Sequence, residues 1–191
     1  MRTDGLDAGE GLVLRPWRQG DAAAVLAAFS APEMTRQADL PVNSQEAAHR
    51  WIERRAAEWD AGTSYAFAVT DTEGAALGNV AVGAVNRVHD TGWVSYWTTP
   101  RSRGKGVAAR GCRALAAWCF GELGLFRLEL GHRTNNTASC RVAHAAGFAV
   151  EGVQRQKLAY DGVRHDVELH ARLSSDPVPP SGYGRRTRSG L

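Results

Sequence analysis

The sequence predicts an α/β fold: one domain with a central mixed, mostly antiparallel twisted sheet of six to seven strands, flanked by about four helices. Three observations carry that expectation. Apolar residues recur at helical spacing in four stretches and alternate in the strand-like stretches between them. Connections between residues 64 and 99 are short and polar, which suits antiparallel pairing, whereas residues 104–122 supply a helix long enough for a parallel crossover. The 191-residue chain has ordinary apolar content and no biased block in its middle, enough for one sizeable core.

Taken in order, "LVLRPW" (12–17) reads as a short strand and "DAAAVLAAFS" (21–30) as a helix with Asp21 at its cap. Residues 43–62 form a stronger helix, capped by Asn43 or Ser44, with Glu46 in its first turn and Gly62 at its end. "SYAFAVT" alternates, placing Tyr65, Phe67 and Val69 on one face. Residues 73–85 and 92–99 continue as two further strands. The crossover helix repeats Ala108, Cys112, Leu115 and Cys119 on one side. "FRLEL" (126–130) is a strand, residues 136–146 a helix stopped by Gly147, and 148–158 with 164–173 a closing strand pair about "YDGV". Residues 1–10 are expected to be a disordered N-terminal tail, 11–173 the domain, and 174–191 a disordered C-terminal tail rich in proline, glycine and polar groups.

Composition narrows the function classes. The formal charge of +3 comes from 23 basic and 20 acidic residues, and Arg185, Arg186 and Arg188 lie at the extreme C-terminus, so a solvated tail explains the surplus better than a polyanion surface. No nucleic-acid or membrane partner is expected. Cys112, Cys119 and Cys140 lack CxxC spacing and are odd in number, so neither a disulfide framework nor a metal site is expected. The N-terminus lacks a signal-peptide core and no apolar run is long enough to span a bilayer, which suggests a cytoplasmic protein.

The chemistry concentrates at "YWTTPRSRGKGVAARGC" (96–112), where a strand runs through Pro100 into a basic, glycine-rich turn that opens a helix. The first turn of a helix offers unpaired N–H groups and the positive end of its dipole, and glycines let a phosphate approach them. Arg101, Arg103 and Lys105 add charge suited to a diphosphate. A P-loop is absent, since no Lys-Ser or Lys-Thr follows a suitably spaced glycine. A dinucleotide fingerprint is formally satisfied by Gly104, Gly106 and Ala109 with Glu129 downstream, but antiparallel strands precede this loop where serial βαβ units would be needed.

"RSRGKG" (101–106) resembles the [QR]xxGx[GA] pyrophosphate loop of the GNAT superfamily of N-acetyltransferases. "NTAS" (136–139) with "AGF" (146–148) is similar to that family's later NxxS…GF segment, and "LRPW", "SYW", "EGVQR" and "RHDVELHARL" resemble its RimJ/RimL-like branch. The resemblance covers residues 11–173 and implies a GNAT-like single domain using acetyl-CoA as co-substrate, with no metal. It implies that Trp97, Thr98 and Thr99 offer backbone groups to the pantetheine arm, that N–H groups of Arg103, Gly104, Lys105, Gly106, Val107 and Ala108 hold the pyrophosphate, and that Asn136 bonds the pantetheine amides. Ser139 is the candidate to protonate the departing thiolate or to pack on the cofactor's edge, and a strand N–H near Thr98 to bond the thioester oxygen. Relatives with ribosomal-protein substrates carry a glutamate base where this chain has Leu158. His132 is the substitute candidate; His144, Cys140, His165, Asp166 or a water relay are alternatives.

The implied reaction is acetyl transfer to a primary amine, a protein N-terminus or a small molecule, by direct attack in a ternary complex. A non-catalytic acyl-CoA-binding domain is the alternative. Residues 31–43 and 86–92 are expected to build the acceptor pocket, with Glu33, Asp39 and Asp90 as candidate anionic groups and Trp17, Trp51 and Trp59 in the core or walls. The resemblance allows either a monomer or a homodimer.

Overall fold

The computed structural model describes residues 5–31, 34 and 40–179. One eight-stranded sheet runs in the order β1-β2-β3-β4-β5-β6-β8-β7. The strands are β1 (Leu6–Gly9), β2 (Leu12–Pro16), β3 (Tyr65–Thr70), β4 (Ala76–Asn86), β5 (Thr91–Thr98), β6 (Arg127–Arg133), β7 (Ala149–Tyr160) and β8 (Val163–Leu173). The helices are α1 (Ala22–Phe29), α2 (Gln45–Asp60), α3 (Val107–Gly121) and α4 (Thr137–Ala145). All neighbouring strands are antiparallel except β5 and β6, which α3 joins as a parallel crossover.

Alternation in the strands divides the interior in two. Tyr65, Phe67, Val69, Val80, Val82, Val94, Leu128 and Leu130 meet α3 and α4 on one face of the sheet. Ala66, Ala68 and Ala81 point the other way, and their small side chains leave room for Trp17, Phe29, Trp51 and Trp97, which gather above them with α1 and α2. Trp59 belongs instead to the first core, edge-on to Phe67. Gly111 lets α3 lie close to the sheet, since a Cβ there would sit 2.9 Å from Val80.

Several boundaries differ from the expectation. Leu6–Gly9, expected to be disordered, forms the eighth strand because Leu6 packs against the main core while β1 pairs with β2 through a tight turn at Glu10 and Gly11. Residues 174–179 are also held: Ser174 donates to the Phe126 carbonyl, and Asp176 accepts from the Leu173 N–H at 2.8 Å. The remainder of that tail lies outside the described residues. Asp21 does not cap α1 with its side chain. Its carboxylate instead accepts from the Arg15 guanidinium at 2.7 and 2.8 Å and from the Arg18 N–H at 2.8 Å. Ser44 does cap α2, accepting from the Ala47 N–H.

Cys112 and Cys119 are fully buried in the core, and burial pushes both thiols well above their ordinary range. In the native protein a charged disulfide reagent is therefore expected to label at most Cys140 promptly, with the other two thiols appearing only on denaturation. Rapid labelling of all three would contradict this packing. Among the described residues no helix is long and apolar enough to cross a membrane.

Candidate functional site

The sheet opens at its only parallel junction. β5 and β6 pair from Thr91–Arg127 to Trp93–Glu129, yet β5 continues to Thr98 and β6 to Arg133. Beyond Val94 and Leu130 the two strands diverge. Backbone groups on these facing edges therefore have no partner across the gap, which leaves a slot able to accept an extended chain bearing amides.

Strand alternation decides which groups face the slot. The Thr99 N–H donates to the Leu77 carbonyl on β4, and the Trp97 carbonyl also points at β4, where it lies 2.5 Å from the position of a Cβ on Gly78. It follows that the backbone groups of Tyr96 and Thr98 are the ones directed toward β6. This corrects the expected placing of Trp97 and Thr99: the backbone of each is engaged with β4, and the Trp97 indole sits in the aromatic cluster beside α1 and α2.

At the wide end of the slot, β5 enters a short 3-10 turn at Pro100–Ser102, pinned by a buried Thr99–Ser102 hydroxyl pair at 2.8 Å. The Arg103 N–H is turned inward, to the Pro100 carbonyl at 3.3 Å. Gly104 and Gly106 both adopt left-handed conformations, φ +72° and +73°. α3 then begins at Val107 with no side-chain cap and no acidic residue in its first turn. Arg101, Arg103 and Lys105 are exposed around it. Uncapped N–H groups, a positive helix end and three cations together make this helix start attractive to an anion.

Two supports of this loop were not foreseen. Arg110 donates to the Lys105 carbonyl at 2.8 Å and pairs with Glu10 at 2.8 Å, so the β1–β2 turn and the first turn of α3 hold the loop between them. On the other side of the slot, the Tyr96 hydroxyl donates to the Ser139 carbonyl at 3.2 Å, tying β5 to α4. Burial holds the Tyr96 phenol well above its ordinary range, so it stays protonated as a donor. An arginine one turn into a helix and an aromatic five positions before Arg101 were the signals available in the sequence.

Asn136 caps α4, its Oδ1 accepting from the Ser139 N–H at 3.1 Å, which leaves its NH2 group for a second acceptor. Ser139 lies one turn on and is half-buried. His132 is placed differently from the expectation of a base. It is buried, its Nδ1 lies 3.0 Å from the Arg133 carbonyl, and its Nε2 lies 3.0 Å from His170 Nε2. With Nδ1 held at the backbone and Nε2 facing His170 in the buried interior, the ring is poorly placed to take a substrate proton.

The other candidates are dispersed. Cys140 lies under α4 with its Sγ 3.7 Å from Glu168, and His144 stacks edge-on to His170. Asp166 accepts from the Gln156 N–H at 2.7 Å and so ties the last two strands together. Leu158 pairs with His165 across the same strands. Asp90 is exposed at the closed end of the slot, where its carbonyl accepts from the N–H groups of Phe126 and Arg127. Glu33 and Asp39 lie outside the described residues.

Comparison with known proteins bears on this geometry. The family model described as an acetyltransferase (GNAT) domain matches residues 11–149. YdaF of Bacillus subtilis, whose name describes a ribosomal N-acetyltransferase, is 28% identical over 104 residues, covering 54% of this chain and 57% of YdaF. YoaA of the same organism, named an N-acetyltransferase, is 29% identical over 163 residues, covering 84% of this chain and 92% of YoaA. Among solved structures, the ribosomal L7/L12 alpha-N-protein acetyltransferase RimL in complex with coenzyme A superposes with a TM-score of 0.79 at 22% identity, covering 89% of this chain and 98% of RimL. The chain thus spans just over half the length of YdaF and nearly all of the other two.

Proposed function

This chain belongs to the acetyltransferase (GNAT) domain family, in its RimJ/RimL-like branch, and from that premise we propose that it moves an acetyl group from acetyl-CoA to a primary amine by direct attack in a ternary complex. The observation that carries the reading is the slot between β5 and β6, which ends on the Gly104–Gly106 turn and the open N-terminus of α3. In this reading the N–H groups from Gly104 to Ala108 hold the diphosphate. The pantetheine arm follows the β5 edge, and the Asn136 carboxamide donates to one of its carbonyls. The ribosomal targets in the names of YdaF and RimL, an alpha-N-protein site in the case of RimL, suggest one acceptor class; small-molecule amines are another.

The developing oxyanion and the leaving thiolate each have a group on hand. The thioester oxygen gains charge as the amine attacks, and the Thr98 N–H, directed into the slot, donates to it. The thiolate leaves on the α4 side, where the Ser139 hydroxyl passes it a proton and regains one from water. No side chain is assigned as base, and the proton leaves the amine through water. Most of the acceleration then comes from holding amine and thioester aligned.

Free thiol released from acetyl-CoA, measured against a panel of peptide N-termini and small amines, tests the reading. Amine-dependent release is expected. Ser139→Ala should lower kcat by about tenfold to a hundredfold with little change in KM for acetyl-CoA if it is a proton donor. The engagement of His132 and the leucine at 158 favour one second reading, a non-catalytic acyl-CoA-binding domain. Thermal stabilisation by coenzyme A without thiol release from any amine would establish that reading instead.

A further inference from the structure

Beneath α4, on the face of the sheet shared with α3, four side chains from three elements converge: His132 of β6, Cys140 of α4, and Glu168 and His170 of β8. The pairing of β6 with β8 sets His132 directly opposite Glu168, and His170 two residues on faces the same way. We propose that these four residues form a structural site for a zinc-class divalent transition metal, which staples the helix carrying Asn136 and Ser139 to the sheet. The proposal goes beyond acetyl transfer and does not depend on it.

The hydrogen-bonding geometry carries the inference. His132 Nδ1 lies 3.0 Å from the Arg133 carbonyl, and His170 Nδ1 lies 3.5 Å from the Phe148 carbonyl. A carbonyl only accepts, so a neutral ring that bonds it through Nδ1–H presents a lone pair at Nε2; the 3.0 Å contact favours this tautomer for His132, and the 3.5 Å contact allows it for His170. Those two Nε2 atoms lie 3.0 Å apart, with Glu168 Oε1 at 3.0 Å from one and 3.5 Å from the other. With both rings in that tautomer, the two Nε2 lone pairs and Glu168 Oε1 face one another, and the Cys140 thiol, which donates to Oε1 at 3.7 Å, carries the proton that a metal would displace. A cation between them would satisfy all three at once, and histidines whose outer nitrogen is tied to a carbonyl are the usual metal-ligating arrangement.

Size agrees with a metal. With zinc–nitrogen and zinc–oxygen bonds of about 2.0–2.1 Å, tetrahedral ligand atoms stand about 3.3 Å apart, which the Nε2–Nε2–Oε1 triangle brackets. Cys140 Sγ, 3.7 Å from Oε1 where about 3.5 Å is ideal, supplies the fourth corner. All four ligand atoms fall within 4.8 Å of one another, so the thiol corner is the looser one. Two imidazoles, a carboxylate and a thiolate suit zinc or cobalt better than magnesium or calcium, which prefer oxygen alone. With four protein ligands the site has no open position, and its role is structural. His132 and His170 are 7% and 1% exposed, so the ion would be shielded from water. The odd number of cysteines had pointed away from any metal; only the fold brings residues 132, 140, 168 and 170 together.

The competing occupant is a proton. If His170 carries its ring proton on Nε2, that N–H serves both His132 and Glu168 with no metal. To decide, the full chain is purified without chelator, its zinc measured by elemental mass spectrometry, and the stripped protein titrated with cobalt(II). The expected result is about one ion per chain, tetrahedral cobalt absorption with a thiolate-to-metal charge-transfer band, and a rise in Tm on adding zinc. Stripping the metal should also speed alkylation of Cys140. Cys140→Ser, at a half-buried helix position that should tolerate it, is expected to lose the charge-transfer band, and Glu168→Gln to weaken cobalt binding about a hundredfold. A folded wild-type chain that gives neither tetrahedral cobalt absorption nor a zinc-dependent Tm overturns the proposal in favour of the proton. Cobalt binding unchanged in both variants overturns it in favour of a surface site elsewhere.

Discussion

Gly106→Val is expected to weaken coenzyme A binding by about tenfold to a hundredfold, the equivalent of losing one charge-assisted hydrogen bond of about 1.5–3 kcal/mol. Gly106 sits at φ +73°, where an L side chain is strained, and a Cβ there would come 2.9 Å from Arg110 Nη1. That guanidinium holds the Lys105 carbonyl and Glu10. Valine thus disturbs the loop twice, by forcing its backbone toward φ < 0 and by pushing aside the arginine that fixes it. The N–H groups that would meet the phosphates turn with it.

Gly104 separates these causes. It has nearly the same φ, +72°, but nothing lies within 4 Å of its Cβ position, so Gly104→Ala carries the conformational strain without the collision. A smaller loss is expected there. Calorimetry with coenzyme A and with pantetheine, which lacks the diphosphate, gives the decisive comparison. The Gly106→Val defect should appear for the first and vanish for the second. Equal weakening for both ligands would mean that the cradle is not where phosphates rest.

Much of this architecture was legible from local pattern. The alternation of Tyr65, Phe67 and Val69 and the helical spacing of Cys112, Leu115 and Cys119 each describe a face, and the structure turns those faces into one core. The basic glycine turn was legible because its glycines and charges are contiguous. What escaped was set by contacts distant in sequence. β1 holds only four residues, two of them small, and gains its order from Leu6 in the core and from pairing with β2. Glu10 meets Arg110 only because that strand exists. Backbone polarity at Trp97 and Thr98 depends on the register with β4, which no single strand reveals. The His132–His170 pair spans 38 residues and two strands, so neither histidine announces the other.

The largest stability change is expected at the opposite end of the molecule, in Arg15→Met. Arg15 lies on β2 with its side chain 9% exposed, and both terminal nitrogens donate to the Asp21 carboxylate, itself 11% exposed. The same guanidinium reaches the carbonyls of Pro16 and Gly74, so one side chain joins the start of α1 to the β3–β4 turn. The hydrogen bond that Arg15 donates to Asp21 raises the Arg15 pKa above its already high ordinary value. Methionine keeps the apolar stem but leaves the carboxylate with only the Arg18 N–H. Removing one partner of a buried pair costs about 3–5 kcal/mol, because the remaining charge stays desolvated. Replacing both partners by apolar residues of similar volume costs far less, so Arg15→Met with Asp21→Leu should regain most of the loss. Urea unfolding with an unchanged slope checks both variants. A single variant that loses under about 1 kcal/mol would place this pair with surface ion pairs, which contribute little. A double variant no better than the single would instead locate the loss in the contacts to Pro16 and Gly74, making Arg15 a strap on the backbone and its ion pair incidental.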